Sequence, residues 1–147
     1  MRFRFYITLI FIFYVFNLQA HSPVFHHYTS DDGLLSSEVY FIIQDKKGYI
    51  WFATDMGVSR FDGFHFENFD IQKGLPSNTI FEIFEDYKGR IWFSSFSGEI
   101  SYYYNDSIVQ YPHNDKLVAQ FTESPLVIKG SFFVDTTDKI TMGLFNQ

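Results

Sequence analysis

The sequence predicts an all-β fold built from repeated four-stranded blades, and three observations point to it. The first is an internal repeat: at a shift of 41 residues, Gly33-Leu34 falls on Gly74-Leu75 and Ile50-Trp51-Phe52 falls on Ile91-Trp92-Phe93. The second is that each copy alternates β-branched and aromatic runs with turns rich in Asp and Gly. The third is composition, because a chain of 147 residues with 22% aromatics is not intrinsically disordered. Four short strands in about 41 residues are typical of a β-propeller blade.

The rest of the composition excludes several classes of function. The chain has no cysteine, which excludes disulfide frameworks, cysteine-based zinc sites and thiol nucleophiles. Its 17 aspartates and glutamates outnumber its 11 lysines and arginines, for a net charge of -6. Because nucleic-acid binding relies on a basic surface that neutralises phosphates, neither DNA nor RNA is an expected partner.

The first twenty residues have the pattern of a secretory signal peptide. Arg2 and Arg4 form a basic start, an apolar run covers 5–16, and the segment ends in the small residue Ala20. The sequence therefore predicts a signal peptide over 1–20 that is cut after Ala20, which puts the mature chain in the periplasm or outside the cell. The alternative, an uncleaved anchor, is disfavoured because a membrane-spanning helix needs about 20 apolar residues.

Residues 21–147 are predicted to form an incomplete propeller. Blade 1 is expected over 36–70, with strands at 39–43, 49–53, 58–61 and 64–69. Blade 2 is expected over 77–112, with strands at 79–84, 90–94, 99–103 and 108–111. Asp45 to Gly48 and Asp86 to Gly89 should reverse the chain, because Asp can hydrogen-bond the following backbone and Gly can adopt a positive φ.

The two ends of the repeat region are less regular. Residues 24–29 align with the fourth strand of a blade and are predicted to be an outer closing strand. A degenerate partial blade 3 is expected over 120–147, with strands at 132–135 and 139–142. Because propellers close with about four to eight blades, we expect either an N-terminal fragment of a longer protein or several short chains assembled into one ring.

The residues shared by the two copies resemble the two-component regulator propeller repeat. The motif residues are Gly33, Asp45, Gly48, Trp51 and Gly57 in the first copy and Gly74, Asp86, Gly89, Trp92 and Gly98 in the second. The second copy departs from the pattern at Ser95, where Thr is usual, and at Glu99, where an apolar residue is usual. The resemblance implies the periplasmic sensor region of hybrid two-component histidine kinases from Bacteroidetes-type bacteria.

That resemblance implies a sensor that detects oligosaccharides or similar small molecules, with no catalysis on this chain and no cofactor. The membrane helix and the histidine kinase would lie in a C-terminal region absent from this chain. The missing blades would come from the same polypeptide or from a partner chain. The alternative is an exported carbohydrate- or protein-binding propeller module without a signalling role.

Strand order predicts which rim of the blades binds the ligand. Loops from a fourth strand to the next first strand share one rim with the turns between second and third strands, and the Asp-x-x-Gly turns lie on the other rim. Loops on a rigid scaffold commonly carry recognition. The candidate ligand contacts are therefore Asp31, Asp32, Asp55, Asn78 and Ser97.

No spacing in the sequence predicts a catalytic or metal site. The five histidines, His21, His26, His27, His65 and His113, are scattered without a metal-ligand pattern. A glycosidase pair could come from Asp31 and Asp32, or from Glu82, Glu85 and Asp86, but turn chemistry already explains Asp86 and the others are scattered. A propeller lyase or glycoside hydrolase would need a convergent acid-base set that the sequence does not offer, so the chain is not expected to be an enzyme.

Overall fold

The computed structural model describes residues 24–119, 126–127 and 130–145, so the predicted signal peptide over 1–20 lies outside the described residues. Two four-stranded antiparallel sheets form the centre of the molecule, each with its strands in chain order. Blade 1 contains β1 (Val39–Gln44), β2 (Ile50–Thr54), β3 (Val58–Phe61) and β4 (Phe66–Phe69). Blade 2 contains β5 (Ile80–Glu85), β6 (Ile91–Ser95), β7 (Ile100–Tyr104) and β8 (Ser107–Gln110). The predicted all-β fold of repeated blades is confirmed.

Within the two blades, the largest difference from the predicted strand positions is at β4, which begins at Phe66 rather than at Phe64. One carboxylate oxygen of Asp62 accepts hydrogen bonds from the backbone N–H groups of Phe64 and His65, both at 2.7 Å. These bonds hold 62–65 in a turn, so the chain enters the sheet two residues later.

The Asp-x-x-Gly turns fold in the same way in both blades. Asp45 Oδ1 accepts hydrogen bonds from the backbone N–H groups of Lys47 and Tyr49, each at 2.9 Å. Its second oxygen accepts from the indole Nε1 of Trp51 at 2.8 Å. Gly48 has a φ of 93°, a conformation that glycine adopts without strain. The motif residues therefore build the first hairpin of the blade and fix its tryptophan.

Both blades carry a β-bulge near the start of the first strand. In blade 1 the register shifts between Val39 and Phe41, and in blade 2 it shifts between Ile80 and Glu82. Tyr40 and Phe81 sit at the two bulges, and the centroids of their rings lie 4.9 Å apart. The bulge thus brings an aromatic side chain of one blade against its counterpart in the next.

Two hydrophobic clusters hold the blades together. The larger one lies between blades 1 and 2 and includes Trp51, Val58, Ile83 and Phe93. The smaller one joins blade 2 to a third unit, which we define as the described residues of 126–145. The buried members of that second cluster are Trp92, Ile100, Phe132 and Val134.

Short helices that the sequence analysis did not predict connect the blades. A 3₁₀ helix over Ser30–Asp32 precedes blade 1, and another over Ile71–Lys73 joins blade 1 to blade 2. After blade 2 comes α1, Asn114–Val118. The Asn114 amide donates to the Ile100 carbonyl and accepts from its N–H, both at 2.9 Å. No helix in the described part of the chain is long and apolar enough to cross a membrane.

Gly57 has no room for a side chain. It has a φ of 138°, and an added Cβ would lie 2.2 Å from the carbonyl oxygen of Phe69 and 2.7 Å from a methyl group of Leu35. The β2–β3 turn of blade 1 can therefore pack against the segment before β1 only if this position has no side chain.

The third unit is less regular than the two blades. Strand β9 (Leu126–Val127) pairs with β12 (Leu144–Phe145), and β10 (Phe133–Val134) pairs with β11 (Ile140–Thr141). Strands β10 and β11 lie within the predicted strands at 132–135 and 139–142. Asp138, where the two complete blades have a glycine, has a φ of 63°. Within the predicted 120–147 blade, residues 120–125, 128–129 and 146–147 lie outside the described residues.

Residues 24–29, predicted as an outer strand, form no strand in the structure. Val24 and Phe25 are 81% and 87% exposed. A strand needs a neighbour for its ladder hydrogen bonds, and no described strand pairs with this segment. Tyr28 packs against blade 1, with its ring 4.9 Å from that of Phe61 and 5.6 Å from that of Phe66.

Candidate functional site

The blades present two rims, and strand pairing assigns the loops to each. Val39 pairs with Thr54, and Val58 pairs with Phe69, so the β2–β3 turn and the chain after β4 lie at one end of the sheet. We call this end the loop rim and the end that carries the Asp-x-x-Gly turns the turn rim. The predicted ligand contacts belong to the loop rim.

Three of the five predicted residues come together around Thr79. The Thr79 hydroxyl donates to the backbone carbonyl of Asp55 at 3.3 Å. The backbone N–H of Phe96 donates to the Thr79 carbonyl at 2.9 Å. Asp55, Asn78 and Ser97 therefore lie on segments that meet at one point of the loop rim, where blade 1 contacts blade 2.

The side chains of these three residues differ in how far they are already engaged. The amide oxygen of Asn78 accepts from the Ile71 N–H at 3.0 Å. The Ser97 hydroxyl lies 2.8 Å from that of Ser95 and donates to Glu99 at 3.0 Å. In contrast, Asp55 Oδ1 is buried and has no hydrogen-bond partner among the described residues. Asp55 therefore has the most unused binding capacity of the three.

Asp31 and Asp32 lie apart from that group. Both belong to the 3₁₀ helix before blade 1, and the carbonyl of the next residue, Gly33, accepts from the side-chain amide of Asn68 in β4 at 3.0 Å. The Asp32 carboxylate accepts from the Thr29 N–H at 2.7 Å and from the Thr29 hydroxyl at 3.0 Å, so it caps its own helix. The structure places these two residues at the outer strand of blade 1.

An aromatic row lies beside Asp55, and the sequence analysis missed it. The Phe81 ring contacts the Tyr40 ring on one side and the Phe96 ring at 5.3 Å on the other, and Phe96 is 51% exposed. The Tyr40 hydroxyl donates to Glu38 at 2.6 Å. This hydrogen bond, helped by burial and by the charges of Glu38 and Asp55, raises the pKa of Tyr40 to about 12. The sequence did carry a signal for this aromatic row, because both repeats have an aromatic residue at the bulge position.

The turn rim holds a cleft of about 210 Å³ between blades 1 and 2. Buried residues form its floor, among them Trp51, Ile91 and Tyr103. The β7–β8 turn, Tyr104 to Asp106, forms one wall. The repeat pattern predicts chain-reversing turns on this rim and ligand contacts on the other, so the cleft was not predicted.

Arg60 connects the two blades at this cleft. Its guanidinium lies 4.5 Å from the centre of the Tyr49 ring and 5.2 Å from that of Tyr103. It donates to the Tyr103 hydroxyl at 2.8 Å and is paired with Glu67. The Tyr103 hydroxyl in turn donates to Asp106 at 2.7 Å. Burial and the bond to Asp106 raise the pKa of Tyr103 to about 12, against the opposing charge of Arg60.

A second depression of about 120 Å³ adjoins this cleft on blade 1. Tyr49 and Arg60 line both, so these two side chains form a ridge between them. The smaller depression also contacts Asp62, His65 and Glu67. We refer to the cleft and the depression together as the turn-rim groove.

The three blade 2 carboxylates considered for a glycosidase pair are used in other ways. The Asp86 carboxylate accepts from the indole of Trp92 and from Arg90. Glu85 accepts from the Lys46 N–H at 3.0 Å. Glu82 is only 4% exposed, between blade 2 and the third unit. Burial raises its pKa, although backbone N–H groups of 130–132 work in the opposite direction.

A metal centre needs several ligands close together. Within the described residues, no three His, Asp or Glu side chains are grouped in a way that could hold a metal ion.

Comparison with known proteins gives the two blades a family context. Residues 33–56 and 74–97 match the family described as Two component regulator propeller, which confirms the resemblance drawn from the motif residues. The matched ranges contain Trp51 and Trp92 with their Asp-x-x-Gly turns. These repeats are a regulator region and not a catalytic domain.

Two individual proteins are similar to the chain over part of their length. It is 39% identical over 62 residues to "Histidine kinase P4" from Formosa agariphila, a match that covers 41% of this chain and 4% of that protein. It also matches the crystal structure of the extracellular domain of BT3049 from B. thetaiotaomicron, described as a hybrid two component system. That match has a TM-score of 0.64 and 26% identity, and it covers 83% of this chain and 17% of the other.

Proposed function

Because its two complete blades are repeats of the two component regulator propeller family, we propose that the chain is part of a ligand-sensing region of an extracytoplasmic two-component signalling protein. The observation that carries this proposal is the similarity to an extracellular domain of such a system over 83% of the chain. The chain itself recognises the ligand and catalyses nothing. The histidine kinase that receives the signal lies on another part of the protein.

The ligand we propose is an oligosaccharide or a chemically similar small molecule bound at the loop rim. Asp55 supports this location with a buried acceptor oxygen that has no partner among the described residues. Beside it, the exposed ring of Phe96 offers an apolar face on which the C–H groups of a sugar ring can pack. Asn78 and Ser97 line the same place, and Asp31 and Asp32 extend it along the outer strand.

Calorimetric titration with neutral and acidic oligosaccharides of two to six units tests the proposal, with thermal unfolding as a second readout. A ligand that binds only the folded chain raises Tm by about 5 °C or more once it is present well above its Kd. Asp55→Ala should weaken binding, whereas Asp115→Ala, an exposed change in α1, should leave it unaltered. Absence of heat and of a Tm shift with every oligosaccharide would overturn the sensing proposal.

A further inference from the structure

We propose that the turn-rim groove is a binding site for an uncharged polyhydroxylated ligand, namely a short neutral oligosaccharide that crosses the Tyr49–Arg60 ridge. The inference rests on the proposed function for its ligand class, but it places a site on the rim opposite to Asp55. It also states that the site prefers neutral to acidic oligosaccharides, a preference that the proposed function does not include.

The groove is already rigid before a ligand arrives. Its floor residues Trp51, Ile91 and Tyr103 are 1%, 3% and 7% exposed. The Trp51 indole is hydrogen-bonded to Asp45, and the Tyr103 hydroxyl lies between Arg60 and Asp106. Because these side chains are held by other contacts, a ligand would not have to order them, and less binding energy is lost.

The charges around the groove favour a neutral ligand. Three cationic and three carboxylate side chains line the larger cleft, so their charges balance. Arg60 is paired with Glu67, and Lys88 with Asp138 at 2.6 Å. An anion would meet carboxylates, and a cation would meet Arg60 and Lys88. Hydroxyl groups both donate and accept, so a sugar can use groups of both signs.

The β7–β8 turn keeps polar side chains at the edge of the groove in an unusual backbone conformation. Asn105 and Asp106 have φ angles of 49° and 57°, whereas the corresponding turn of blade 1 has Gly63 with a φ of 101°. Glycine would occupy such a position without strain. Both side chains line the cleft, where an amide and a carboxylate can bind sugar hydroxyls.

The shape of the groove fits more than one sugar unit. Volumes of about 210 Å³ and about 120 Å³ lie on either side of the ridge. A ligand that fills both would pack along the Tyr49 ring. The exposed Tyr104 ring, 44% accessible, would cover the end in the larger cleft.

The charge preference is tested with oligosaccharides that differ only in charge. We would titrate the full chain with neutral gluco-, manno-, galacto- and xylo-oligosaccharides of two to four units, and with uronic acid oligosaccharides of matched linkage. The β-1,4-mannotriose and β-1,4-trimannuronate pair is one such match. At least one neutral compound should bind about tenfold more tightly than its acidic counterpart. Tighter binding of the acidic compound of each pair would overturn the inference.

Two variants test the location of the site. Tyr104→Ala should weaken binding of the best neutral compound about tenfold, because a stacking ring is lost. Asn105→Gly should weaken it as well while keeping the turn, since glycine suits a positive φ. The control is Tyr87→Ala, which removes a 48% exposed tyrosine that lies on the same rim but does not itself line the cleft. The ring of Tyr87 contacts Lys88, and Lys88 stays paired with Asp138 in this variant.

The two proposals fail in different ways. If a neutral oligosaccharide binds, and Asp55→Ala weakens it while Tyr104→Ala and Asn105→Gly do not, the groove is not the site and the sensing proposal stands. If no oligosaccharide binds the chain at all, the sensing proposal itself fails, together with the inference that rests on it.

Discussion

The contact between blades 1 and 2 and the contact between blade 2 and the third unit both contain a tryptophan that is hydrogen-bonded to an aspartate of its own blade. Trp51 Nε1 donates to Asp45 Oδ2 at 2.8 Å, and Trp92 Nε1 donates to Asp86 Oδ2 at 2.9 Å. Each tryptophan then packs against the next unit, in the cluster around Phe93 or in the cluster around Phe132. The Asp–Trp pair is therefore the fixed part of both contacts.

The cation over each tryptophan comes from different positions in the two blades. Arg60, from β3, lies 5.6 Å from the centre of the Trp51 ring. Arg90, the residue before β6, lies 5.0 Å from the centre of the Trp92 ring. In the 41-residue alignment Arg60 falls on Ser101 and Arg90 falls on Tyr49, so the guanidinium has changed place while its function in packing is kept.

The two contacts also differ at the first strand. Phe41 packs against the cluster between blades 1 and 2, whereas its counterpart Glu82 is buried against the third unit. One oxygen of Glu82 has no hydrogen-bond partner among the described residues. The comparison shows that the Asp–Trp hydrogen bond is repeated in both blades, whereas the arginine comes from different positions and Phe41 is replaced by Glu82 at the second contact.

The largest effect should come from removing the turn carboxylates. Asp86→Ala takes away the partner of Arg90 and of the Trp92 indole and should lower the free energy of unfolding by about 3–5 kcal/mol. Asp45→Ala removes hydrogen bonds but no ion pair, at about 1–3 kcal/mol. Urea denaturation of the two variants measures both losses. Equal losses would contradict the distinction drawn between the two turns.

Replacing each arginine by lysine should have a smaller effect. Lysine keeps the charge but cannot lie flat over an aromatic ring while donating to two partners. Arg60→Lys and Arg90→Lys should each cost about 1–2 kcal/mol in chemical denaturation, because both side chains are mostly buried at the blade contacts. A loss at only one of the two positions would show that the cations do not have equivalent packing functions.

The pH dependence of stability should separate the two blade contacts. Burial raises the pKa of Glu82 above its ordinary 4.5, so the stability linked to this group is full below that value and is lost as pH rises through the folded-state pKa. Glu82→Gln should therefore gain stability relative to the unmodified chain as pH rises from about 4 to about 8. Denaturation series at several pH values measure the difference, and parallel curves would contradict it.

Asp86 should act in the opposite direction at the same contact. Burial works to raise its pKa, but hydrogen bonds from Trp92 and Arg90 outweigh this and hold the pKa below 3.8. Its contribution to stability is present above that value and is lost as pH falls through the folded-state pKa. The low-pH end of the same denaturation series should therefore show a loss that Glu82→Gln does not remove.

The smallest effect is expected at the surface ion pair between the first two blades. Lys46 and Glu85 lie 3.9 Å apart, and the Lys46 side chain is 68% exposed. Exposed pairs contribute little because water screens them, so Lys46→Ala should change the free energy of unfolding by no more than about 0.5 kcal/mol. A loss above about 1 kcal/mol would mean that the hydrogen bond from Lys46 to the Asp86 carbonyl also contributes to stability.

The eight strands of the blades were predictable because the repeat displays each of its four strands twice. The connecting 3₁₀ helices were not, since three residues carry no periodicity. Their caps were nevertheless readable: Thr29 precedes Asp32 at capping-box spacing, and Gly33 and Gly74 end the helices with φ angles of 101° and 106°. The same two glycines had been identified only as repeat residues.

The sites were predictable only in part. Strand order placed Asp55, Asn78 and Ser97 on one rim, and the segments that carry them meet at Thr79. It could not show that Asp32 is used as a helix cap. The turn-rim groove was missed because it depends on Arg60 and Tyr103, which come from different blades and form a contact that no repeat position marks.

The β-bulge shared by both first strands has an evolutionary consequence. The two bulges place the rings of Tyr40 and Phe81 in contact with each other. A copied unit therefore already carries the aromatic side chain that packs against the preceding copy. A gene duplication of one such unit would add a strand bulge and an aromatic contact in a single event. Growth by tandem duplication is therefore compatible with stable packing at once, before any substitution adapts the new surface.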